Sequence, residues 1–102
     1  MTNCKEIPMP YVVMVDDNYH FMDQDQRYRH GEFDDPDIAT EHCRRIVDEY
    51  LASAIKPGME AAELWESYKM FGEDPFIVSK GVPPVSFSAW GYAEERCAAL
   101  CL

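Results

Sequence analysis

Acidic and imidazole side chains gather between positions 16 and 32, in the stretch DDNYHFMDQDQRYRHGE. One imidazole and two carboxylates are enough to hold a divalent transition metal, and Asp16, Asp17, His20, His30 and Glu32 are the residues that could supply them. A calcium loop of the helix-loop-helix kind is excluded by its own spacing rule, which asks for oxygen ligands at the first, third and fifth positions and glycine at the sixth. Counted from Asp23, the fifth residue is Arg27 and the sixth is Tyr28; counted from Asp16, they are His20 and Phe21. A transition-metal site depends on register. If a tight turn at MDQD sets Phe21 opposite Gln26, then Asp17 faces His30, Val15 faces Glu32, and the polar side chains share one sheet face. A slip of one residue would separate them.

Competing explanations exist for the same charges. Asp34 or Asp35 caps the helix that follows, Asp23 and Asp25 suit a turn, and Arg27 and Arg29 stand where they would neutralise the remaining carboxylates. The favoured reading is therefore a hairpin end followed by a helix cap, with no ion of its own and no cofactor. The alternative is a metal-dependent binding protein or enzyme centred on Asp16, Asp17, His20 and His30.

Other catalytic arrangements find less support. His42 and Cys43 are neighbours on a helix, so their side chains diverge by about 100° and cannot act as base and nucleophile. No glycine-rich phosphate loop, GxSxG elbow or HExxH helix is present. The four cysteines (Cys4, Cys43, Cys97 and Cys101) include no CxxC pair and read as free thiols. Tyrosines crowd the hairpin, and Tyr19, Phe21 and Tyr28 are candidates for a surface that meets a protein partner.

The elements that must position these groups follow from pattern. YVVMV, residues 11–15, is a strand apolar throughout, which places it centrally or under cover on both faces. A second strand is expected over 27–33, with Gly31 marking a bulge. From Ile38, apolar residues recur every three or four positions (Ala39, Cys43, Ile46, Val47, Tyr50, Leu51, Ala54), so a helix runs over 36–54 with Pro36 in its first turn. Pro57-Gly58 ends that segment. A second helix is expected over 59–71 with Ala61, Leu64, Trp65 and Tyr68 inward and Gly72 as its cap. PFIVS, 75–79, is a third strand. Ser86 or Ser88 caps a last helix over 88–101, whose inner face is Ala89, Trp90, Ala93, Cys97, Leu100 and Cys101. Residues 1–10 form an extended arm stiffened by Pro8 and Pro10. The order ββααβα defines one α+β domain over 1–102, a small antiparallel sheet packed against three helices.

Composition bounds the partners. A chain of 102 residues with 47% apolar content can bury one core. Nineteen Asp and Glu against nine Lys and Arg give a net charge of −10, which repels nucleic acid and anionic membranes. No secretory signal and no membrane-spanning stretch is apparent, so a cytoplasmic location is expected.

The strings VDDN, GEFD, FGEDPFI and FSAWGYA, spread over residues 11–97, resemble a family of small bacterial proteins of unknown function. The resemblance implies a small bacterial α+β domain and no catalytic or binding residue. Taken with the missing catalytic constellation, it leaves an acidic, non-enzymatic interaction or regulatory domain as the expectation, its partner another protein or a second copy of itself.

Overall fold

The computed structural model describes residues 9–20 and 27–101. Strands β1 (Tyr11–Asp17), β2 (Tyr28–Phe33) and β3 (Glu73–Ser79) form one antiparallel sheet in the order β2-β1-β3. Helices α1 (Pro36–Ala54), α2 (Ala61–Phe71) and α3 (Ala89–Leu100) complete the order ββααβα, an α+β fold. The strand built on the apolar run YVVMV is the central one, one of the two placements its composition allowed.

Both β1 and β3 run two residues past their apolar cores, because Asp16 and Asp17 pair with Asp74 and Glu73. A 3-10 turn over Asn18–His20 follows β1. The expected MDQD connection, with Phe21 opposite Gln26, lies outside the described residues, as do residues 1–8 of the N-terminal arm. Pro10 does join the sheet: its carbonyl accepts from the Lys80 N–H at 2.9 Å.

Helix α1 serves two cores along one stripe. Its first half sets Ala39, Cys43 and Ile46 against Val13 and Val15 of the sheet. Its second half sets Val47 and Leu51 against Leu64 and Tyr68 of α2 and Ala89, Ala93 and Cys97 of α3. The Asp35 carboxylate caps α1 by accepting from the Asp37 N–H at 2.8 Å, and Ser88 caps α3 by accepting from Gly91 N–H at 3.1 Å. Cross-links between helices are polar. Asp48 of α1 accepts from Tyr92 Oη at 2.8 Å and from Arg96 Nε at 3.1 Å, and the Tyr50 and Ser67 hydroxyls share a 2.6 Å bond.

Tyr68 is the junction between helices and sheet. Its fully buried ring ends in a hydroxyl that donates to the Glu73 carbonyl at 2.7 Å. Its own carbonyl receives the Asn18 side-chain amide at 2.9 Å and the Gly72 N–H at 2.8 Å. Several side chains expected inside lie farther out, Trp65 and Leu100 among them. Trp65 is only partly buried, because it stacks on Tyr68 at 6.0 Å and carries the Lys69 ammonium on its ring. Leu100, the last residue of α3, is 40% exposed.

Candidate functional site

The expected register is overturned. Val15 pairs with Tyr28 rather than Glu32, and Val12 is the residue opposite Glu32. The reason is a bulge: Val13 pairs with Gly31 and Met14 with Arg29, so His30 is the extra residue on β2. Gly31 did mark the irregularity, one position away. Asp17, instead of facing His30, pairs with Glu73 on β3, and its carboxylate accepts from the Tyr19 N–H at 2.9 Å.

The candidate ligands are consequently spread over the sheet. Strand alternation sends Asp17 to the helix side with Val13 and Val15, and Glu32 to the opposite face with Val12. Glu32 is ion-paired to Arg29. Asp16 holds Arg27 through two bonds, Nε to Oδ1 at 2.6 Å and Nη2 to Oδ2 at 3.1 Å. His30, thrown out by the bulge, reaches helix α1, where its Nε2 lies 3.0 Å from Nδ1 of His42 beside the Phe33 ring. The His20 side chain and Phe21 lie outside the described residues. Among the described residues no group of three or more His, Cys, Asp or Glu side chains converges in metal-binding geometry.

The helix-side chemistry is quiet. His42 turns to His30 while Cys43 points into the core, and burial pushes the Cys43 thiol up to about 12, the range of an inert thiol. Burial, with His30 and Arg45 adding to it, pulls His42 below the usual imidazole range. Tyr28 is about half exposed, and its hydroxyl donates to Glu73 at 3.1 Å; burial first and the Glu73 carboxylate second push it up to about 12. Tyr19 is 64% exposed and stacks on Phe71 at 5.4 Å, next to exposed Met70.

The other face of the sheet carries what sequence reasoning missed. Val12, Met14, Phe76 and Val78 stand together there, since Val12 pairs with Val78 and Met14 with Phe76. Val12 is buried and Val78 is 40% exposed, and none of the four joins the two clusters in which α1 packs on Val13 and Val15 and on the other helices. The four floor an open groove of about 390 Å³ whose other lining residues are Arg27, Arg29 and Lys80. The Arg27 guanidinium lies 5.1 Å from the centre of the Phe76 ring. At the end of this face, Asp74 stands directly opposite Asp16. Burial, and then the Asp16 charge, raise the Asp74 carboxyl to about 6. The one available signal was the apolar run YVVMV, which pointed to a central or doubly covered strand but not to the partners that Val12 and Met14 meet on β3.

No family model matches the chain, and neither does any curated protein or solved structure.

Proposed function

We propose that this chain is a small protein-interaction domain without catalytic machinery of its own, and that its working surface is the uncovered face of the sheet. The observation that carries this reading is the central strand β1. Its inner residues Val13 and Val15 are buried under helix α1, while on the other face Val12, itself only 4% exposed, and the partly buried Met14 and Phe76 line a groove with exposed Val78. Contiguous apolar surface of this kind, rimmed by polar side chains, is characteristic of interaction sites. The rim here is formed by Arg27, Arg29 and Lys80.

A cytoplasmic location belongs to the same reading. It is supported by Cys43, Cys97 and Cys101, all of which are free thiols. Among the described residues no helix is long and apolar enough to cross a membrane.

The test is affinity capture with three forms of the protein. Val78→Asp places a charge in the groove at an exposed edge position, whereas Met70→Asp alters a somewhat more exposed apolar residue on α2. Partners retained by wild type and Met70→Asp but lost with Val78→Asp are expected. A set of partners unchanged by Val78→Asp would overturn the assignment, and a loss confined to Met70→Asp would move the surface to the Tyr19–Phe71 stack.

A further inference from the structure

We infer that the sheet groove receives an acidic amphipathic helix from another protein. This rests on the interaction reading above and names the occupant.

Charge comes first. The chain carries a net −10, yet among the described residues the groove is lined by Arg27, Arg29 and Lys80 and by no carboxylate. Asp16 and Glu32 at its margins are each engaged by one arginine. The Lys80 ammonium has no carboxylate partner among the described residues. Asp74 lies beside Asp16 at the end of the same face, which leaves Lys80 as the unpaired cation of the groove; at physiological ionic strength charges are screened beyond roughly 8 Å, so the acidic helices behind the sheet count for less than the charges on this face.

Size selects a single segment over a second copy. A seven-residue strand spans about 23 Å and three strands about 14 Å, a platform of roughly 330 Å². A stable globular interface needs about 800 Å² from each partner. A two-fold contact through this face would also bring the same three cations toward each other. A helix about 10–12 Å wide matches the platform, as α1 already does on the other side of the sheet.

Edge pairing by an extended strand is disfavoured by the edges themselves. β3 carries Pro75, and β2 carries the bulge at His30, so neither offers an unbroken ladder.

The experiment is nitrogen-15 NMR titration of the whole chain with two synthetic peptides of about 18 residues. One has leucine along one helical face and glutamate along the other; its counterpart has lysine in place of glutamate. The glutamate peptide is expected to shift the amides of Val12, Met14, Phe76 and Val78, with an affinity that falls as salt is raised. Lys80→Glu, which breaks no ion pair, is expected to weaken that peptide about tenfold and to favour the lysine peptide. Failure of the glutamate peptide to shift these amides, or equal binding of both peptides, would overturn the inference. So would concentration-dependent shifts of the same amides without peptide, which would make a second copy the occupant. Each of these results leaves the capture experiment with Val78→Asp to decide the interaction reading separately.

Discussion

Asp74 and His42 give the protein two opposed responses to acid. Burial, and then the Asp16 charge, raise the Asp74 carboxyl from the ordinary 3.8 of the unfolded chain to about 6 in the folded one. Between those values the folded state holds the extra proton. Stability therefore falls as pH rises through this window, and the cost is fully present above it. Asp74→Asn removes the charge that burial and Asp16 oppose. It is expected to raise the melting temperature at neutral pH, with the gain disappearing below about pH 4; equal melting curves at neutral pH would show that Asp74 is solvated. His42 works the other way. Its folded imidazole gives up the proton more readily than the unfolded one, so stability is complete above 6.5 and drains as pH falls below it. The 3.0 Å contact with His30 needs one ring to donate and the other to accept, and two protonated rings cannot satisfy it. In an Asp74→Asn background, His42→Ala should flatten the acid limb of the stability profile just below pH 6.5, and an unchanged limb would rule His42 out.

At the scale of elements, the joint between α2 and the sheet is built around Tyr68. Gly72 ends α2 as its spacing implied, but for another reason than the usual left-handed cap. Its φ is −77°, open to any residue. What demands glycine is the Tyr68 ring, which a Cβ would strike, and the Tyr68 carbonyl, which would lie 2.8 Å from it. Gly72→Ala is therefore expected to cost about 1–3 kcal/mol in a denaturant titration. Asn18→Ala, which strips the amide from the same carbonyl, should cost about 1–3 kcal/mol. Loss of neither would mean that the joint yields. Local pattern made the helices legible: the three-and-four spacing of Ala39, Cys43, Ile46 and Val47 fixed α1, and Asp35 was one of two caps considered. Register was not legible. A single extra residue at His30 moves every later pair, and nothing in the composition of RYRHGEF tells which residue of a strand goes unpaired. The groove was hidden for a related reason, since Phe76 and Val78 reach Met14 and Val12 only once β3 has joined β1.

For the whole molecule, α1 is the element that ties the two cores together. Ile46, 7% exposed between the helix and the sheet, is its most informative position. Ile46→Ala should cost about 2–5 kcal/mol, read as a lower denaturation midpoint; an unshifted midpoint would mean that the sheet-side core contributes little. The thiols should report the same architecture. Cys43 and Cys97 are almost fully buried, while Cys101 at the end of α3 is partly open. In native protein a thiol probe is expected to label Cys101 well before Cys43, and comparable rates would mean that α1 opens readily.

The pairing of β1 with β3 also governs how the molecule can be made. Tyr11 meets Ser79 and Asp17 meets Glu73, partners more than fifty positions apart in the chain. A ribosome releases β1 long before its second neighbour exists. Until then the most apolar strand of the protein has β2 on one side and a bare edge on the other, the arrangement that recruits foreign strands. Helices α1 and α2 are local and can form within microseconds. Closure of the sheet must wait for a loop of that length to be searched, which sets the slowest step in refolding. Stopped-flow refolding should therefore show helical signal appearing ahead of Tyr68 burial, and a chain ending before Glu73 should aggregate rather than fold.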